Sequence, residues 1–124
     1  ILNGKRINIY GTGNQTRTYC YISDAIEGFM RVICLGRPGE AYNIGNNKPE
    51  VSVKDIYKIL KKIHTKEVKA NYIRHPKSYP DDEPQRRCPN INKARKDLNY
   101  KTKISLKKGL KKFLEWATIN YKIY

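Results

Sequence analysis

Gly11-Thr12-Gly13-Asn14-Gln15-Thr16-Arg17-Thr18-Tyr19-Cys20-Tyr21-Ile22-Ser23-Asp24 is the stretch around which this 124-residue chain is organised. It follows Ile7-Asn8-Ile9-Tyr10, whose side chains alternate with the period of a strand. It then passes through a glycine turn and ends at Ser23-Asp24, which opens an amphipathic helix. Arg17 is thereby held between a tight turn and an aromatic segment, a setting suited to fixing an anion. Its fork of donors matches phosphate geometry and stays charged at any working pH.

Working outward, Leu2-Asn3-Gly4-Lys5-Arg6 reads as a turn into that strand. The loop Gly11–Thr16 has two glycines and offers backbone N–H groups to a phosphate. It is not a dinucleotide-binding fingerprint, because no third glycine follows and no helix starts directly after it. Ile26, Phe29, Met30 and Ile33 recur at helical spacing from Asp24 to Leu35, with Gly36 as C-cap. A short strand is expected over Ala41-Tyr42-Asn43-Ile44-Gly45. Ser52 with Asp55 predicts a capping box ahead of a helix that buries Val53, Ile56, Ile59, Leu60 and Ile63. Val68–Ile73 alternates like a strand. Arg74–Pro89, punctuated by four prolines, is the longest irregular stretch, and long loops are disproportionately functional. It carries Asp81-Asp82-Glu83 and the pair Arg86-Arg87. A short helix over about Asn92–Leu98 precedes a last helix from Ser105. That helix is expected to bury Leu106, Leu110, Phe113, Leu114 and Ala117, with Trp116 flanking. The sum is an α/β chain, a mixed α+β fragment of short strands with about four helices.

The bulk composition narrows the function classes. The length suits one small domain and is short for a complete two-domain enzyme. The chain begins at Ile1-Leu2-Asn3-Gly4 without an initiating methionine, so a piece of a longer protein is expected. No apolar run approaches the ~20 residues needed to cross a bilayer, and no signal-type leader is visible. Cys20, Cys34 and Cys88 are an odd number at wide spacings, which fits free thiols in a reducing cytoplasm. With only His64 and His75 beside them, no metal site is expected. The net charge of +15 admits an alternative, a basic nucleic-acid-binding module. However, Lys61-Lys62, Lys107-Lys108 and Lys111-Lys112 fall on the polar faces of helices, and no zinc finger or RNP-like run is present.

Five segments taken together resemble the C-terminal half of the extended short-chain dehydrogenases/reductases, the NAD-dependent nucleotide-sugar epimerase/dehydratase family. They are Ile9–Arg17, Tyr19–Gly28, Tyr42–Asn46, Asp81–Ile91 and Ser105–Leu110, in the family's order. Within that family the chain looks most similar to UDP-glucuronate decarboxylases, with dTDP-glucose 4,6-dehydratases and UDP-sugar 4-epimerases as near cousins. The resemblance implies that residues 1–124 are the nucleotide-sugar-binding portion and that an N-terminal Rossmann half is absent. It implies that Arg17 and Arg87 close on the substrate diphosphate and that Asn8, Ile9 and Tyr10 run beside the base. Gln15 and Asn43 join the same substrate-binding set. It further implies NAD bound by the absent half, a nucleotide-sugar substrate, a homodimer for the full-length enzyme, and no membrane or nucleic-acid partner. One departure is Asn90, where aspartate is usual; asparagine caps about as well.

The residues themselves leave other readings open. Arg17 could form a surface salt bridge, for instance to Asp24, and Arg87 could pair with Asp81 or Asp82. Asn43 could make a turn or sheet-end hydrogen bond, and Tyr10 and Tyr21 could be core aromatics. The family's chemistry also needs a glycine-rich NAD turn and a Tyr-x-x-x-Lys pair. Tyr57-Lys58-Ile59-Leu60-Lys61 has that spacing, but it lies downstream of the arginine motif and inside an amphipathic helix, so it is read as coincidence. Catalytic residues are therefore expected outside this chain. Hydride transfer from the sugar C4 to NAD, followed by decarboxylation, dehydration or re-reduction, would need them.

Overall fold

The fold is described from a computed structural model, over residues 1–80 and 83–121. The elements in chain order are β1 (Ile7–Tyr10), β2 (Thr16–Thr18), α1 (Ile22–Leu35), β3 (Glu50–Ser52), α2 (Val53–Ile63), β4 (Ala70–Ile73), β5 (Arg86–Arg87), α3 (Asn92–Leu98) and α4 (Leu106–Asn120). Strands β1 and β4 pair with each other, and β3, β2 and β5 are hydrogen bonded in that order. The mixed α/β class with four helices among the described residues is as expected. The chain divides into two units, one built from 1–17, 51–86 and the chain from Leu110, the other from 18–50 and 87–109.

In the first unit, β1 and β4 run parallel, Ile7 opposite Ala70 and Tyr10 opposite Ile73. Parallel neighbours need a crossover, and α2 lies within that connection. Ser52 and Asp55 form the expected capping box: the Ser52 hydroxyl accepts from the Asp55 N–H at 3.1 Å, and the Asp55 carboxylate accepts from the Ser52 N–H at 3.2 Å. Together they satisfy two of the N–H groups that a helix start leaves open. Ile9 and Val68 are buried, and Ala117 joins them as a buried residue of α4. Phe113 departs from expectation. It is 54% exposed, and its ring lies tilted beside Trp116 with centroids 5.9 Å apart.

In the second unit, Ile91, Ala94, Leu98 and Tyr100 form the core, with Val32, Tyr42 and Ile44 packed against it. Helix α1 approaches closely through Gly28, where a Cβ would meet Ile44 Cγ2 at 2.3 Å and Tyr100 Cε2 at 2.9 Å. Its buried side is Asp24 and Gly28, while Ile26, Phe29, Met30 and Ile33 are all more than half exposed. The strand expected at Ala41–Gly45 is an irregular segment without ladder partners. Side-chain contacts tie it down instead: Lys93 Nζ donates to the Ala41 carbonyl at 2.8 Å, and Asn43 Nδ2 donates to the Asn90 carbonyl at 3.1 Å. Asn90 Oδ1 accepts the Asn92 N–H at 3.0 Å, so asparagine serves the local turn before α3.

Candidate functional site

The first unit gathers five of the seven residues singled out from the sequence. Strand β1 carries Asn8, Ile9 and Tyr10. Asn8 and Tyr10 are exposed, while the Ile9 side chain is buried. The chain then turns sharply through Gly11 at φ +61° and Gly13 at φ +69°, a region that L side chains rarely adopt. A Cβ on Gly11 would lie 2.6 Å from His75 Nε2, and one on Gly13 would lie 2.8 Å from Ile9 Cγ2. The turn is pinned to the start of α2 by Lys54 N–H to the Gly13 carbonyl at 3.1 Å and Val53 N–H to the Gln15 carbonyl at 3.3 Å. Gln15 Nε2 reaches back to the Tyr10 carbonyl at 3.5 Å.

Arg17 emerges from this turn on β2 with its guanidinium held twice. Nη1 donates to the Thr16 carbonyl at 2.8 Å, and Nη2 donates to Glu83 Oε1 at 2.7 Å. The side chains of Arg17 and Glu83 are 19% and 23% exposed, so the pair is half-sheltered rather than solvated. Its acidic partner is thus Glu83 and not Asp24. The Asp24 carboxylate is buried and accepts the N–H groups of Lys103 and Ile104, both at 2.9 Å.

The proline-rich segment is fastened to the same turn. The Thr16 N–H donates to the Gln85 carbonyl at 2.8 Å, and Tyr10, His75 and Tyr79 stack in series with centroids 5.8 and 4.0 Å apart. A hollow of about 390 Å³ opens among His75, Pro76, Lys77, Tyr79, Pro80, Glu83 and Gln85. His75 and Tyr79 were not anticipated, since an aromatic stack between segments some 65 positions apart leaves no local signal.

Arg87 and Asn43 belong to the second unit. Arg87 is exposed on β5, and Asn43 makes the contact with Asn90 described above, a loop-fastening role. Asp81 and Asp82, considered as partners for Arg87, lie outside the described residues. Tyr21, half-buried, packs against Gly109, where a Cβ would lie 3.0 Å from Tyr21 Cδ2.

After β1 the chain passes through its glycines into a second strand, and the next helix in sequence begins only at Ile22, so the turn does not run directly into a helix. A dinucleotide pyrophosphate needs that strand–turn–helix seat, and these residues do not fit it. Tyr57 donates its hydroxyl to the Val68 carbonyl at 3.1 Å, and Lys61 Nζ lies 5.7 Å from its ring centroid. This is a structural tyrosine. No group of three His, Cys, Asp or Glu side chains that could hold a metal occurs among the described residues, and no helix among them is long and apolar enough to cross a membrane.

Elsewhere, burial raises the Cys20 thiol, although its contact with the Tyr100 hydroxyl at 3.5 Å works the other way. Tyr100 is itself raised, first by burial and then by its contact with Cys20. Tyr100 belongs to the core, and Cys20 is partly buried beside it.

The chain is similar to known proteins in both sequence and fold. A sequence model of the family described as GDP-mannose 4,6 dehydratase matches residues 1–113. The dTDP-D-glucose 4,6-dehydratase of Bos taurus is 34% identical over 125 residues, covering 96% of this chain and 34% of its own length. UDP-glucuronic acid decarboxylase 6 of Arabidopsis thaliana is 34% identical over 109 residues, covering 88% of this chain and 30% of its own. Among solved structures, the UDP-glucuronic acid 4-epimerase of Bacillus cereus, in complex with UDP-glucuronic acid and NAD, superposes with a TM-score of 0.84 at 34% identity. That match covers 97% of this chain and 37% of the epimerase. The chain thus spans about a third of the length of the relatives it matches. On the family match and these identities, the chain belongs to the GDP-mannose 4,6 dehydratase family, within the extended short-chain dehydrogenases/reductases that act on nucleotide sugars.

Proposed function

We propose that this chain is the nucleotide-sugar-binding portion of an NAD-dependent enzyme, a UDP-glucuronate decarboxylase or a related 4,6-dehydratase or 4-epimerase. In this reading Arg17 and Arg87 grip the substrate diphosphate, and the NAD seat and the proton-transfer tyrosine belong to an N-terminal Rossmann half. The observation that carries the reading is Arg17: a half-sheltered guanidinium, set by a glycine turn at positive φ and tied to a carbonyl and a carboxylate. A diphosphate carries more negative charge than one arginine neutralises, so a second from a distant segment adds both charge and geometric restraint. Asn8 and Tyr10 are exposed along β1, which supports their running beside the base in this reading. Binding energy collected at the diphosphate orients the sugar toward chemistry done elsewhere in the protein.

The test is calorimetric titration of the full-length protein with UDP-glucuronate, dTDP-glucose and a generic oligonucleotide, each at two salt concentrations. The reading expects saturable binding of one nucleotide sugar with modest salt dependence. Tight oligonucleotide binding that falls steeply with salt, without response to either sugar nucleotide, would instead support the basic-module alternative.

A further inference from the structure

We propose that Glu83 is the positioning residue for Arg17, presetting the guanidinium in the orientation that meets the diphosphate; this rests on the function proposed above. The two residues are 66 positions apart, yet Nη2 and Oε1 are 2.7 Å apart with both side chains sheltered. The second anchor, Nη1 to the Thr16 carbonyl at 2.8 Å, engages the other terminal nitrogen. Two contacts on two nitrogens of a planar group restrict its orientation as well as its position. The fork still has N–H groups beyond these two with which to meet an anion.

Glu83 is itself well placed. Its N–H donates to the Pro80 carbonyl at 3.3 Å, and the Gln85 carbonyl two residues on receives the Thr16 N–H. The carboxylate therefore comes from a segment bound to the very turn that sets Arg17. An arginine that is ordered on folding gives up less freedom when ligand arrives, which is the benefit of preorganisation. A half-exposed ion pair adds little stability on its own, so orientation is the stronger reason for this one.

A carboxylate next to an anion-binding arginine also lowers the local positive charge. Glu83 could then act as a competitor that the diphosphate must displace, and the two roles part on substitution. Glutamine keeps an acceptor oxygen and drops the charge, whereas alanine removes both. The experiment measures the affinity of the full-length protein for UDP by calorimetry in Glu83→Ala, Glu83→Gln and Arg17→Ala, with thermal midpoints alongside. Positioning predicts that Glu83→Ala weakens UDP binding by about five- to twentyfold and that Glu83→Gln recovers most of that loss. The midpoints of both variants should stay close to the parent's. Any pattern without that rescue overturns the proposal: both variants tighter, both unchanged, or both equally weak. Arg17→Ala separates the two layers. If it binds UDP as the parent does, the diphosphate reading falls and Glu83's role falls with it. If it binds weakly while neither Glu83 variant changes, only the positioning role is lost.

Discussion

Arg17 and Asp24 lie seven positions apart, and each takes a partner from far along the chain, for different ends. Asp24 is buried and receives two backbone N–H groups, from Lys103 and Ile104. Its removal leaves both donors without that acceptor, so Asp24→Ala should cost about 2–4 kcal/mol of stability, read from urea denaturation. A loss under about 0.5 kcal/mol would contradict that account. Thiol reactivity gives a second check. Partial burial raises the Cys20 thiol, while Cys34 is exposed on α1, so a maleimide should label Cys34 before Cys20. At this scale the sequence was informative about residue type and poor about partners. A guanidinium after a glycine turn points to an anion wherever it occurs. Its pairing with Glu83 rather than Asp24 depends on a fold that brings residues 17 and 83 together, and nothing local encodes it.

Elements whose cause is local were legible, and those whose cause is a neighbour were not. The Ser52–Asp55 capping box spans four residues and formed as read; Ser52→Ala should destabilise by about 1 kcal/mol, measurable as a lower denaturation midpoint with unchanged slope. The alternating run Ala41–Gly45 has strand character, but a strand also requires a ladder partner, and this segment is tied down by Lys93 and Asn43 contacts instead. Helical spacing likewise identified an apolar face on α1 and placed Phe113 on that of α4. Periodicity states which residues share a face and not whether anything covers it: Ile26, Phe29, Met30, Ile33 and Phe113 all stand more than half exposed. These faces support the proposal that further chain packs here in the full-length protein. There, Phe29→Gln should lower the thermal midpoint by several degrees, consistent with about 1–2 kcal/mol of lost apolar burial. An unchanged midpoint would mean the face stays open.

For the molecule as a whole, the +15 charge sets how it responds to pH and which ligands it attracts. Glu27 is held below the usual carboxylate range by hydrogen bonds from Lys103 and then Arg31, Glu40 by Lys93, and Asp55 by Ser52. Each has a folded pKa below its unfolded one, so its contribution is present at neutral pH and is lost as pH falls through the depressed values. The thermal midpoint should accordingly hold near neutrality and drop below the ordinary carboxylate range, with a shallower drop in Glu27→Gln. The family was legible because five short segments recur in order, a pattern that belongs to no single element. The grip on substrate is a further step, since it requires two guanidinium groups acting on one ligand. The most direct measurement is the affinity of the full-length protein for UDP in Arg17→Ala and in Arg87→Ala. A shared diphosphate predicts that each substitution weakens binding by about 2–4 kcal/mol; an Arg17→Ala or Arg87→Ala variant that binds UDP as tightly as the parent would contradict it.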